Sequence, residues 1–267
     1  MLEENRARHE QLVKLTGLRY PAVALKMIAD ESALPEGTVI PLRDWGKHIA
    51  LCQAFAFARR QGKTLYMRKE DHWCWNPILT YGMISKELGK EGFRALHRVQ
   101  GTSMESADAF VDSFPCLPHG ENRGILVAPL DQADFEPDVT LIYCKNDQLR
   151  LLLMAVNTQT REMLQSSFYA FDSCVYSVVP AIQEGAYRIT IPDPGEYERG
   201  LTPEDDIIFS VPAQREAEFY TGVAAQLRVG GRDRFYMTMK EDFPRPHIYD
   251  IVFETWGLET GEVWDKK

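Results

Sequence analysis

The stretch that decides the fold class is residues 124–156, whose sequence is GILVAPLDQADFEPDVTLIYCKNDQLRLLLMAV. It contains two short apolar runs, Gly124–Pro129 and Val139–Cys144, separated by an acidic loop, and both are typical of buried strands. Residues 146–156 are rich in leucine and methionine and predict a helix directly after the second strand. The order strand, loop, strand, helix is typical of a mixed α/β protein.

Further elements on both sides extend this core. Hydrophobic periodicity, caps and breakers predict helices over 3–15, 47–60 and 214–227, strands over 22–28, 64–67, 162–167, 187–191 and 207–211, and a turn over 192–195. A helical pattern with breaks at Gly82 and near Gly101 predicts an insertion over about 79–114. We therefore predict an α/β fold, with α+β as the variant, in which a central mixed sheet is flanked by helices. Residues 1–267 are predicted to be a single domain with an aromatic-rich extension over about 230–267.

The composition excludes several classes of function. Of 267 residues, 45% are hydrophobic and 26% are charged, which suits a globular core, and the net charge of -9 disfavours a nucleic-acid partner held by a basic field. No apolar run approaches the roughly 18 residues of a membrane span, and the N-terminus lacks a secretory signal pattern. We expect a cytoplasmic protein that acts on a small-molecule substrate or ligand, and its apolar helices are compatible with a homo-oligomer.

Five cysteines are present, and none belongs to a Cys-x-x-Cys pair. Zinc-ribbon, thioredoxin-like and bacterial ferredoxin signatures are therefore absent. The glycine-rich nucleotide motifs, Gly-x-Ser-x-Gly and His-Glu-x-x-His are absent as well. If the cysteines bind one group together, the fold must bring distant segments to one place.

Three of the cysteines have sequence neighbours that suit catalysis or metal binding. In residues 70–75, EDHWCW, an imidazole and two acids flank Cys74, a setting that can lower a thiol pKa, although the cysteine and tryptophans can equally be core residues. Cys116 and His119 lie in a proline-rich loop with a spacing compatible with a shared metal ion. Cys174 follows Asp172 and Ser173 at the start of a predicted short helix.

A set of motifs in the same order along the chain resembles the uncharacterised ArCR family, an archaeal conserved region common in anaerobic archaea and bacteria. The resemblance covers about residues 10 to 225 and rests on residues 21–26, the helix containing Cys52, and residues 70–74, 137–139, 173–180 and 204–212. It implies that Cys52, Cys74 and Cys174 occupy the family's cysteine positions. Relatives have a Gly-Cys-like turn after the strand that here is 187–191, where this chain has Pro192-Asp193-Pro194-Gly195.

Three family cysteines without the fourth suggest an iron–sulfur cluster with one iron open to substrate. Cys52, Cys74 and Cys174 would be the metal ligands, and Cys116 or Asp193 would close the site. His72 and Glu70 would be the catalytic acid and base. The resulting prediction is a redox or lyase-type enzyme with an iron–sulfur cofactor.

Two other hypotheses explain the same residues. The first is a non-catalytic protein that binds or senses a small molecule, with structural cysteines and with Trp73, Trp75 and Tyr81 lining an apolar pocket. The second is a metal-free thiolate enzyme with Cys74 as nucleophile and His72 or His119 as base.

Overall fold

The computed structural model describes residues 1–100, 103–231 and 248–258, with only the backbone of 97–100. The strands are β1 Val23–Ile28, β2 Leu65–Arg68, β3 Gly124–Pro129, β4 Val139–Cys144, β5 Arg188–Thr190 and β6 Ile207–Pro212. The helices are α1 Leu2–Thr16, α2 Pro41–Trp45, α3 Leu51–Gln61, α4 Trp75–Thr80, α5 Lys86–Gln100, α6 Met104–Asp112, α7 Asn146–Gln159, α8 Ser173–Tyr176, α9 Val179–Glu184, α10 Pro194–Glu198, α11 Glu216–Arg228 and α12 Ile248–Thr255.

The strands form one six-stranded sheet in the order β2-β3-β1-β4-β6-β5. Every pair of neighbouring strands is antiparallel; in β1, Val23 lies opposite both Pro129 of β3 and Leu141 of β4. The parallel contacts in the described residues are two isolated bridges, Val39 with Leu65 and Ile49 with His72. The predicted class, a central sheet flanked by helices, is confirmed, and the sheet predicted as mixed is antiparallel between its strands.

Both faces of the sheet are covered because side chains alternate along each strand. On one face, Leu25 of β1 and Ile208 of β6 belong to the same buried cluster as Phe55 of α3 and Val179 of α9. On the other face, Phe209 of β6 packs against Phe219 of α11 with ring centroids 5.8 Å apart, and α11 packs against α7 and α1. Cys52 lies in α3 itself, and Cys174 packs against the cluster on the α3 side.

Two local predictions are wrong. Residues 162–167 are irregular and not a strand: Met163 is 87% exposed, and the Ser166 hydroxyl accepts a hydrogen bond from Ile189 N at 2.9 Å. None of residues 162–167 is buried, so the alternating pattern does not mark a strand with a buried face. Residues 192–195 form the start of α10 and not a turn, because the Asp193 carboxylate accepts the Glu196 N–H at 2.9 Å and Pro194 suits the first helical position.

The helical insertion predicted over about 79–114 is confirmed as α5 and α6, with the Ser103 hydroxyl capping α6 by accepting Ser106 N–H at 3.0 Å. The predicted break near Gly101 lies outside the described residues. By contacts the chain divides into two units, residues 1–231 and 232–267. In the second unit, the described part is α12 and the residues that follow it, and most of the predicted aromatic extension lies outside. None of the described helices combines the length and apolar character needed to cross a membrane.

Candidate functional site: three cysteines around Asp193

An isolated bridge brings Cys52 and Cys74 to the same place. Ile49 N–H donates to the Asp71 carbonyl at 3.0 Å, and Trp73 N–H donates to the Ile49 carbonyl at 2.9 Å. Cys52 follows this bridge in the first turn of α3, and Cys74 follows it as the residue before α4. Two segments that are distant in sequence therefore present their cysteines from one common anchor.

Cys174 is positioned by contacts from the α4 region. The Tyr81 hydroxyl donates to the Cys174 carbonyl at 2.6 Å, and the Asn76 amide donates to the carboxylate of Asp172, the residue that begins α8. The Ser173 N–H donates to Asp193 Oδ2 at 2.9 Å, which ties α8 to α10. Helix α8 is thus held between the elements that carry Cys74 and Asp193.

Helix α10 completes the cluster by lying against the start of α3. The Cys52 thiol is 3.6 Å from the Gly195 carbonyl oxygen, which it approaches as a donor. A side chain at Gly200, just after α10, would meet the Glu196 carbonyl oxygen at 2.9 Å and the Cys52 carbonyl oxygen at 3.4 Å. The close backbone approach explains why a glycine follows α10 and holds this end of α10 against the start of α3.

The three thiols share an electrostatic environment. Burial is the main reason that the pKa of each is raised, to about 12 for Cys52, well above its ordinary value for Cys174, and upward for Cys74. The charge of Asp193 raises the pKa of all three thiols, and Cys52 also raises that of Cys174. We call Cys52, Cys74, Cys174 and Asp193 the thiol site.

Arg199 supplies a positive charge to the thiol site. After burial and the charge of Glu196, its hydrogen bond to Cys52 is the largest influence on the pKa of that thiol and acts to lower it. Its charge also lowers the pKa of Cys74. The guanidinium carbon lies 5.1 Å from the ring centroid of Trp73, a side chain that is 63% exposed. Arg199 therefore favours negative charge on two of the three thiols.

A buried polar network surrounds the Glu196 side chain of α10. The Glu196 carboxylate accepts hydrogen bonds from the hydroxyls of Tyr143 and Thr202, each at 2.7 Å. The Arg59 guanidinium donates to the Thr202 hydroxyl at 3.1 Å and lies 3.4 Å from the Tyr143 ring centroid. Burial raises the pKa of Glu196, and Arg59 and the two hydroxyls oppose that rise.

The predicted acid and base lie in different surroundings. His72 is buried, neither ring nitrogen has a hydrogen-bond partner among the described residues, and burial lowers its pKa to about 4 despite the charge of Asp71. Glu70 is exposed and pairs with Lys69 at 3.7 Å. Asp71 is buried and accepts hydrogen bonds from Leu42 N–H at 2.8 Å and from Arg68. Asp71 is thus an anchor for α2, and the roles of His72 and Glu70 stay predictions.

The remaining cysteines lie elsewhere. Cys116 is in the connection between α6 and β3, and the charges acting on its thiol belong to Lys86 and Asp112, not to the thiol site. Cys144 is buried at the end of β4. The His119 imidazole contacts the Gly82 carbonyl at 3.0 Å through Nδ1. Of the two residues predicted to close the cluster site, Asp193 is the one that contacts the start of α8 beside Cys174, where it accepts the Ser173 N–H at 2.9 Å.

The three aromatic residues of the predicted apolar pocket are separated. Trp75 lines an apolar cavity beside α5, Trp73 contacts Arg199, and Tyr81 is buried with its hydroxyl on the Cys174 carbonyl. Among the side chains that the structure describes, no three histidine, cysteine or carboxylate groups are arranged to hold a single metal ion.

Comparison with known families identifies the family of this chain. A family model described as uncharacterised ArCR matches residues 11–221. The chain belongs to the ArCR family. Over 215 residues it is 25% identical to an uncharacterised protein of Methanocaldococcus jannaschii, an alignment that covers 79% of this chain and 90% of that protein. No solved structure matches the chain.

Two residues near the thiol site of this ArCR protein belong to no recognisable sequence motif. Arg199 lies in the run Glu198-Arg199-Gly200 with no motif around it, and Glu196 is two residues from a turn signal that hid a helix. Both act through partners contributed by distant segments, Cys52 and Tyr143. Both residues follow the Pro192-Asp193-Pro194-Gly195 run closely, and this run stands where the family resemblance implies a turn with a cysteine. That position was the available signal in the sequence.

Proposed function

We propose that this ArCR protein is a redox or lyase-type enzyme in which Cys52, Cys74 and Cys174 hold an iron–sulfur cluster. The observation that carries the proposal is that the segments of Cys52, Cys74 and Cys174 contact one another. The bridge between Ile49 and His72 joins the segments of Cys52 and Cys74. The Cys52 thiol lies 3.6 Å from the Gly195 carbonyl oxygen of α10, and Asp193 at the start of α10 accepts the Ser173 N–H beside Cys174 at 2.9 Å. Free cysteines are often buried singly as core residues, whereas these three lie in segments that meet.

The donor chemistry fits such a group. Thiolates are the usual ligands of iron–sulfur clusters, and they are spread over several iron atoms, so the thiols need not surround a single point. When bound, the cluster would supply electron transfer or, at an iron without a cysteine ligand, a Lewis acid. Asp193, which accepts the Ser173 N–H beside Cys174 at 2.9 Å, would be the residue to approach that position.

The raised pKa of Cys74 disfavours the alternative of a free nucleophile. A free catalytic cysteine needs a lowered pKa to be a thiolate at neutral pH, whereas burial raises the pKa of Cys74. A coordinating metal removes the thiol proton outright, so burial does not oppose it in the same way. Arg199 then offsets part of the negative charge that the thiolates bring into the site.

Metal analysis tests the proposal. Protein purified without oxygen is expected to contain stoichiometric iron and acid-labile sulfide and to absorb in the visible range. The Cys52→Ala, Cys74→Ala and Cys174→Ala variants are each expected to lose most of the iron and sulfide, because each removes one ligand. Cys116→Ala is the matched control, since Cys116 is half-buried like Cys74 but has other neighbours.

Circular dichroism of each variant separates cluster loss from unfolding. Folded wild-type protein without iron or sulfide after anaerobic purification and reconstitution would overturn the proposal. Full iron content in all three variants would overturn it equally. Loss of iron in Cys116→Ala alone would move the ligand set away from the thiol site.

A further inference from the structure

A cavity of about 340 Å³ lies between α4 and α5, apart from the thiol site. Trp75 and Ile78 contribute to it from α4, and Leu88, Phe93 and Leu96 contribute from α5. Trp75 and Phe93 meet edge to face with ring centroids 4.7 Å apart, which fixes one wall. The volume is within the range of small-molecule pockets, about 300–1,000 Å³.

Two glycines of α5 face this region in different ways. A Cβ atom at Gly89 would lie 2.8 Å from Leu79 Cδ1, so packing against α4 explains that glycine. A Cβ atom at Gly92 would meet nothing within 4 Å. A glycine inside a helix is unfavourable relative to alanine, and neither packing nor a left-handed backbone requires one at Gly92. The missing side chain at Gly92 instead leaves the cavity open.

The lining chemistry defines the ligand class. Among the side chains that line the cavity, the indole N–H of Trp75 is the sole polar group. The lining side chains carry no charge, so a charged ligand would lose hydration there without gaining an ion-pair partner, which is unfavourable. An uncharged aromatic or alkyl group matches these apolar walls.

The flanking charges favour a small molecule over a protein partner. Lys90 pairs with Asp112 at 2.8 Å, and Arg94 donates from Nε to Asp108 at 2.6 Å, so these α5 cations are engaged with α6. A protein interface ordinarily surrounds its apolar centre with a polar rim that contacts the partner. At this cavity, Lys90 and Arg94 therefore already have partners within the protein.

We propose that the cavity between α4 and α5 binds an uncharged small molecule with an aromatic or alkyl group. None of Cys52, Cys74 and Cys174 lines the cavity, so binding does not require the iron–sulfur cluster. Helix α4 nevertheless links the two regions, because Trp75 follows Cys74 directly and Asn76 contacts Asp172 beside Cys174.

Two naphthalene probes that differ in charge test the proposal by isothermal titration calorimetry on the full chain. 1-Naphthalenemethanol is expected to bind saturably, and 1-naphthoate at least about tenfold more weakly because its carboxylate must be desolvated. Gly92→Leu fills the open space and is expected to weaken binding of the alcohol at least about tenfold. Ala95→Leu adds the same side chain to the same helix outside the cavity lining and is expected to change affinity less than about twofold.

A second variant keeps the test valid if Gly92→Leu fails to fold. Trp75→Phe retains an aromatic wall and removes part of the indole surface, so it is expected to weaken binding of the alcohol about two- to tenfold. Absence of saturable binding, equal affinity for the two probes, or unchanged affinity in folded Gly92→Leu would each overturn the proposal. A concentration-dependent dimer that Gly92→Leu dissociates, with no probe binding, would assign the cavity to a second copy of the chain instead.

Discussion

Replacement of Gly222 by alanine is expected to lower the free energy of unfolding by about 3 kcal/mol. Gly222 lies in α11 where that helix crosses α7, and an added Cβ atom would lie 2.0 Å from the Ala155 carbonyl oxygen and 2.7 Å from its carbon. Those are backbone atoms, which cannot rotate away as a side-chain tip can. Leu152 and Val223, on the same two helices, are buried, so separating α7 from α11 would open the core.

Urea denaturation of both proteins measures this loss. Gly92→Ala is the matched control, because it is the same substitution in a helix at a position where the new Cβ atom meets nothing within 4 Å. That control is expected to be neutral or to stabilise by up to about 1 kcal/mol, from the higher helix propensity of alanine. Equal stabilities for Gly222→Ala and Gly92→Ala would show that α7 and α11 do not cross as closely as described.

The fold class follows from local patterns that the sequence carries in full. Helix α1 has charged and apolar residues in helical order and ends before Gly17, which adopts the left-handed conformation as a C-cap. Strands β3 and β4 are continuous apolar runs and are buried at every position. Each of these signals lies within a single element, so no knowledge of distant partners is needed.

Other features depend on partners that the sequence does not pair. The strand predicted at 162–167 has the alternation of a strand, but a strand also needs backbone pairing to a neighbouring edge. Here the Ser166 side chain makes the hydrogen bond to Ile189 N–H of β5. The resemblance to the ArCR family selected Cys52, Cys74 and Cys174, whereas Arg199 could not be selected because its contacts come from α3 and Trp73. Periodicity identifies the helix that carries Gly222, but the helix that crosses it is set by the tertiary fold.

Replacement of Arg59 by methionine is expected to destabilise the protein by about 3–4 kcal/mol at pH 8. Arg59 is only 3% exposed and is the cation that opposes the burial-induced rise in the pKa of Glu196. Methionine preserves much of the apolar length of arginine, so the loss is mainly electrostatic. Without Arg59, the Glu196 carboxylate is left buried with only the Tyr143 and Thr202 hydroxyls as partners.

The loss is expected to depend on pH, and its sign follows from Glu196. The folded-state pKa of this carboxyl is raised above its ordinary value, so the folded protein retains a proton that the unfolded chain has released. Stability therefore falls as the pH rises from the unfolded pKa, about 4.3, through the folded pKa. Removing Arg59 raises the folded-state pKa of Glu196 further, so the loss of stability with rising pH becomes larger and continues to a higher pH. The cost of Arg59→Met is thus expected to be smaller at pH 5 than at pH 8 in urea denaturation.

The double variant Arg59→Met, Glu196→Gln isolates the buried charge as the cause. A neutral amide at position 196 removes the charge that Arg59 compensates, so the double variant is expected to recover part of the stability lost at pH 8 and to lose the added pH dependence. A cost of Arg59→Met that is equal at pH 5 and pH 8 and unchanged by Glu196→Gln would assign the effect to packing against Tyr143. Because Glu196 also raises the pKa of Cys52, the same pair of variants connects the buried network to the thiol site.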